Sequence, residues 1–154
     1  MKKIMYSLML GVIVFAFASC GAEDLLTEKA IKFSIGGKNY SFSKYPSAIA
    51  TKLGGAYQLI IMANSDENVA DIINFTIADA TNANWASQDC TVSLTLGGDV
   101  FVQSGVRLSG IKITGEIAVQ TLVAGPFNAE LVGTAGSKTL TGVKINVYYT
   151  NNAD

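Results

Sequence analysis

The sequence predicts an all-β domain, an antiparallel β-sandwich or flattened barrel of roughly nine or ten strands, on three observations. Apolar and polar residues alternate with period two over most of the chain from Ala30 onward. The pairs Gly36-Gly37, Gly54-Gly55 and Gly97-Gly98 punctuate that alternation as hairpin turns, where glycine takes positive φ without steric cost. No segment of this region carries a 3.6-residue apolar stripe of useful length, which argues against an α/β fold. Between the two all-β packings the sandwich is preferred, because the alternating sites hold mostly medium side chains and a barrel lined for a lipid needs a large apolar interior.

Taken in order, Ile31, Phe33 and Ile35 form one face of a first strand, with Lys32 and Ser34 on the other. Tyr40 and Phe42 belong to the second. A strand from Ser47 to Leu53 leads through Gly54-Gly55 into Ala56 to Ala63, an apolar run that reads as a central strand covered on both faces. Asn64 to Asn68 is the polar loop that closes it. Ile73, Phe75 and Ile77 alternate in the next strand, and Asp79 to Asp89 is a long polar loop with the chain's only tryptophan, Trp85. Cys90, Val92, Leu94 and Leu96 share a face, and Gly97-Gly98 turns the chain into Asp99 to Ser104. Leu108 to Ile117 and Thr121 to Val132, the latter broken by Gly125-Pro126, read as further strands. A last strand presents Val143, Ile145, Val147 and Tyr149. The glycine pairs fit no repeat period, and none opens a glycine-rich phosphate loop into a helix.

The N-terminus is of another kind. Lys2 and Lys3 precede an apolar run from Ile4 to Ala18, the charged and hydrophobic regions of a secretory signal. That run is shorter than the roughly 20 residues that span a bilayer. It ends in Phe17-Ala18-Ser19-Cys20, which resembles the lipobox of bacterial lipoproteins, with phenylalanine where leucine is commoner. The resemblance implies diacylglyceryl modification of Cys20, which becomes the mature N-terminus, and attachment to the membrane through acyl chains. Gly21 stands where an inner-membrane retention signal would have aspartate, so the resemblance implies the outer membrane. Glu23 and Asp24 fit either a short acidic export tag or a solvated tether. The organisation expected is a signal peptide over 1–19, a tether over 20–29 that has room for a helical turn, and a single domain over 30–154.

The chain has 154 residues, 49% hydrophobic and 15% charged, with 11 basic and 12 acidic side chains and no histidine. Without residues 1–19 it keeps 9 basic and 12 acidic groups, a net charge of −3. With Arg107 the only arginine, no basic face is expected to neutralise several phosphates, which argues against nucleic-acid binding. The missing histidine removes the usual triads and zinc sites, and no cofactor is expected.

Over the mature chain, the order Gly110-Ile111-Lys112-Ile113-Thr114, Ala124-Gly125-Pro126-Phe127-Asn128-Ala129 and Thr141-Gly142-Val143-Lys144-Ile145, with the opening Phe33-Ser34-Ile35-Gly36-Gly37-Lys38, resembles small uncharacterised β-sandwich lipoproteins of Gram-negative bacteria. That resemblance implies a fold and an anchor. It carries no activity onto any residue.

The remaining candidates are few. Cys90 shares the face of Val92 and Leu94 and has no histidine to generate a thiolate, so it reads as a buried thiol. A Cys20 to Cys90 disulfide arises only if Cys20 is not acylated. Asp66 with Asp71 and Asp79 with Asp89 are loop carboxylates without the defined cleft that glycosidases need. Asn64, Asp66, Asn68 and Asp71 offer oxygen ligands to calcium but lack the complete loop pattern. Trp85 reads either as an exposed ring that stacks on a sugar or a protein, or as a lid folded over one end of the domain; Tyr45, Tyr148 and Tyr149 flank strand ends. The expected function is a non-catalytic surface binding or adhesion module, with glycan or protein as partner. A calycin-like carrier of a small apolar ligand and a structural subunit of an envelope assembly are the alternatives.

Overall fold

The computed structural model describes residues 28–79, 85, 89–116 and 118–153. The expected signal, Cys20 and most of the expected tether lie outside these, as does the loop between Asp79 and Asp89 apart from Trp85. The described chain is built from ten strands: β1 (Ala30–Ile35), β2 (Lys38–Phe42), β3 (Lys44–Leu53), β4 (Ala56–Asn64), β5 (Ile72–Asp79), β6 (Asp89–Leu96), β7 (Asp99–Arg107), β8 (Lys112–Thr114), β9 (Gln120–Gly133) and β10 (Gly136–Asn152).

All ten belong to one sheet in the order β2-β1-β10-β3-β4-β5-β6-β7-β9-β8, and β10 also pairs with β9. The pairings therefore run in a circuit from β10 through β3, β4, β5, β6, β7 and β9 back to β10. The fold is thus all-β, one sheet whose order returns on itself, in keeping with the expected sandwich or flattened barrel. Closure is uneven. β9 and β10 form a long hairpin, whereas β7 meets β9 only at Phe101 opposite Gly133 and Val102 opposite Val132. At that seam a Cβ on Gly133 would run into the carbonyl oxygen of Val100, so glycine lets the two backbones meet.

The ladder is not wholly antiparallel. β10 runs parallel to β3 from Tyr148 opposite Ser47 to Asn152 opposite Thr51, while its earlier residues Thr141 to Asn146 pair antiparallel with β1. One edge of β10 thus carries the β1–β2 hairpin and β3 end to end.

Alternation settles which side chains fill the interior. Leu59 and Ile61 of β4, Ile73, Phe75 and Ile77 of β5, Val92 and Leu94 of β6, and Leu122 and Leu131 of β9 are fully buried. Phe75 meets Phe127 edge-on at 5.8 Å, and Phe33 meets Phe42 at 5.2 Å. Ala56 to Ala63, expected to be covered on both faces, is covered on one: Leu59, Ile61 and Ala63 are buried, Ile60 and Met62 only half-buried beside the exposed Ile49. The expected strand Leu108 to Ile117 shrinks to the three residues of β8, because Gly110 and Gly115 adopt positive φ (66° and 103°) and break the ladder on either side. β3 begins earlier than expected, at Lys44, passing through an irregularity at Tyr45 (φ 52°) and Pro46.

The register places the β3–β4 turn, the β5–β6 loop, the end of β7 and the end of β10 at one end of the barrel. The β4–β5 loop and the β6–β7 and β9–β10 turns lie at the other.

Candidate functional site

Trp85 comes from the β5–β6 loop and is 4% exposed within the core. Leu108 and Ala153, buried at the same end of the barrel, belong to the core with it. So placed, the indole has no open face on which a sugar ring could stack. Of the tyrosines named with it, Tyr45 and Tyr148 are exposed and Tyr149 packs against the core.

Cys90 is buried on the face of Val92 and Leu94. Burial pushes its thiol up to about 12, and the carboxylate of neighbouring Asp89 adds to the rise. It is held as the neutral thiol, a poor nucleophile. Asp89 itself accepts from Arg107 Nε at 3.0 Å.

The polar groups of the β4–β5 loop are committed to the loop itself and to neighbouring pieces of chain. Asn64 Nδ2 donates to the Val69 carbonyl (2.7 Å), and Asn68 Oδ1 accepts from the Ala70 amide (3.1 Å). Ser43 Oγ donates to the carboxylate of Asp66 (2.7 Å). Asp71 is nearly buried, and its Oδ1 accepts from the Gly97 amide at 2.8 Å, tying this loop to the β6–β7 turn. Asp66 and Asp71 therefore each hold a different piece of chain, and the arrangement closes an end of the barrel. Among the described residues no group of three metal-ligating side chains gathers.

Sequence reasoning missed the surface where the chain enters the domain. Asn146 of β10 is a buried polar residue on the outer side; its Nδ2 donates to the Glu28 carbonyl at 3.0 Å. Lys29 Nζ donates to Asn146 Oδ1 (3.1 Å) and Thr121 Oγ1 (2.9 Å) and lies 5.5 Å from the Tyr148 ring. Partial burial pulls the Lys29 pKa down. Next along the same face, Lys32 of β1 stands directly opposite Lys144 of β10. Lys112 of β8 stands opposite Val123, which in turn stands opposite Asn146. Lys32, Lys112 and Lys144 line one concavity of about 510 Å³ walled by Val123, Pro126 and Ile145. A second, of about 590 Å³, shares Lys32 and Lys144 and adds Ser34, Asn39, Tyr40, Ser41 and Thr141. The acid bound at this face is Glu28, paired with Lys32.

The floor between the lysines depends on one glycine. β9 passes so close to β10 at Gly125 (φ 101°) that a Cβ there would strike the Val143 carbonyl. Pro126 follows at an irregularity of the β9–β10 ladder, where the absent N–H costs no regular hydrogen bond. The alternation did mark Lys32 and Lys144 as outward residues of their strands, but which strands adjoin was not readable from it. No family model, curated protein or solved structure matches this chain.

Proposed function

We propose that the chain is a lipid-anchored lipoprotein of the outer membrane whose barrel serves as a non-catalytic surface binding module. The observation that carries the anchor is Phe17-Ala18-Ser19-Cys20 directly behind the apolar run of a secretory signal. Surface binding, rather than carriage of an apolar ligand, is supported by an interior filled with side chains such as Phe42, Phe75, Phe101 and Leu94, all under 2% exposed. A non-catalytic role is supported by the fates of the reactive groups: the Cys90 thiol stays protonated, Asp89 holds Arg107, and Asp66 and Asp71 hold loops.

Metabolic labelling with an alkyne fatty acid tests the anchor. Wild type takes up label and sediments with outer membranes, and Cys20→Ala does neither. Equal labelling of both overturns the reading.

A structural role in an envelope assembly is favoured by one feature. Past the two residue pairs of the β7–β9 seam, Gln103 to Arg107 and Asn128 to Glu130 flank a concavity of about 500 Å³, a place where an extended partner segment would add main-chain hydrogen bonds. Native-gel analysis of detergent-solubilised envelopes separates the two, since a subunit migrates in a larger complex that a monomeric binding module does not form.

A further inference from the structure

We propose that the outer face of β1, β10, β9 and β8 binds an acidic glycan, a saccharide chain bearing carboxylate or sulfate groups, with Lys32, Lys112 and Lys144 as its cationic contacts. This deepens the surface-module reading and rests on it, but not on the lipid anchor.

The argument begins with a cost. Lys32 and Lys144 are direct cross-strand partners on one face of an antiparallel pair, an arrangement in which like charges destabilise the sheet. The mature chain carries more acids than bases, so the lysines are not there for want of carboxylates. Yet four ammonium groups, those of Lys29, Lys32, Lys112 and Lys144, lie on this face, and among the described residues the one carboxylate paired with any of them is that of Glu28. Among the described residues Glu28 pairs with Lys32, and Lys29 is held by a hydroxyl and an amide oxygen, which are neutral. An anionic ligand supplies the missing charge.

The surroundings choose among anions. Beside the lysines the second concavity is lined by Ser34, Ser41, Thr141 and Asn39; Ser34 Oγ donates to Asn39 Oδ1 and Thr141 Oγ1 to the Ser34 carbonyl, so their hydroxyl oxygens are left as acceptors and the Asn39 amide N–H as a donor for sugar hydroxyls. Two contiguous concavities sharing Lys32 and Lys144 suit several linked rings better than a lone inorganic ion. A duplex nucleic acid is a poorer fit, because the lysines line recesses and no arginine joins them.

The test uses the full-length lipoprotein in detergent micelles. Fluorescence polarisation measures binding of labelled polygalacturonate and heparin oligosaccharides, with labelled maltohexaose as the neutral control. At least one acidic oligosaccharide is expected to bind, to weaken as salt rises and to outcompete inorganic phosphate. The pair Lys112→Gln and Lys144→Gln is expected to weaken binding at least tenfold, while Lys138→Gln, on the far half of β10, leaves it unchanged. Lys144→Gln alone is expected to melt no lower than wild type, since it relieves a like-charge pair. Failure of both acidic oligosaccharides to bind, or binding that the double variant retains, overturns the proposal. Maltohexaose binding that the lysine variants leave intact overturns it too, but leaves the surface-module reading standing. A lower melting temperature for Lys144→Gln with unaltered affinity shows the lysine to be structural and also overturns it.

Discussion

Truncating Trp85 to alanine tests the structure where it departs most from an exposed-aromatic reading. The side chain is 4% exposed. An indole buries about 150–250 Å², which at about 25 cal/mol per Å² corresponds to some 4–6 kcal/mol of apolar burial. Allowing for partial collapse of the space left behind, the expected loss is about 3–5 kcal/mol. Small domains are stable by only about 5–15 kcal/mol, so the variant should melt on the order of 15 °C lower. Urea unfolding followed by circular dichroism measures the loss, with an unchanged slope as the sign that only stability has moved. As the only tryptophan, Trp85 also reports directly, and its native emission should be blue-shifted until the protein unfolds. An emission maximum typical of a hydrated indole, together with a loss below about 1 kcal/mol, would show that the ring does not close the barrel.

Two further substitutions probe the interior and the opposite end. Cys90→Ala should cost about 1 kcal/mol at pH 7, and the deficit should shrink in alkali. Above its ordinary value of 9.0 the unfolded thiol ionises, whereas the folded thiol, pushed up to about 12, keeps its proton. The folded state then binds more protons than the unfolded, and wild type loses at most about 1.4 kcal/mol per pH unit that the variant does not lose. Urea midpoints from pH 7 to 10.5 check this, and a constant deficit counts against a buried thiol. Asp71→Ala removes the acceptor of the Gly97 amide and of Asn68 Nδ2 and should cost about 1–3 kcal/mol. Hydrogen exchange at Gly97 should rise in that variant, while Asp71→Asn keeps an acceptor and most of the protection; equal exchange in all three proteins counts against the tie.

The strands were legible because each rests on local information. Alternation in Ile73, Phe75 and Ile77 or in Val143, Ile145 and Val147 is set by a period of two, and those residues are buried. Glycine pairs marked turns for the same local reason, and the φ values at Gly36, Gly54 and Gly97 are positive. Closure was not legible, because it depends on partners far apart in sequence: Tyr148 against Ser47, and Phe101 against Gly133. The excess apolarity of Ala56 to Ala63 pointed to two covered faces, but Ile60 and Met62 show that half-buried outer positions of a barrel wall tolerate such residues. Lys112, Lys144 and Lys32 looked like three ordinary surface lysines. What distinguishes them is register, since a shift of one residue in β1 would take Lys32 off the face it shares with Lys144.

The same register bears on what kind of site the outer face can be. Lys144 sits in a strand that is bonded on both sides by three neighbours, β1 and β3 on one edge and β9 on the other. Its backbone is fixed further by the close pass of Gly125, so the ammonium is carried on a wall that has little freedom to yield. Lys32 is fixed from the opposite strand and drawn toward Glu28, and Lys112 is held through Val123. Charges mounted on rigid strands lose less entropy on binding than charges on loops. Repulsion between them is correspondingly hard to relieve by movement, because the ladder keeps Lys32 and Lys144 opposite one another. A ligand that neutralises the pair recovers that repulsion as affinity, so in the proposed complex the melting temperature should rise more at low ionic strength than at high.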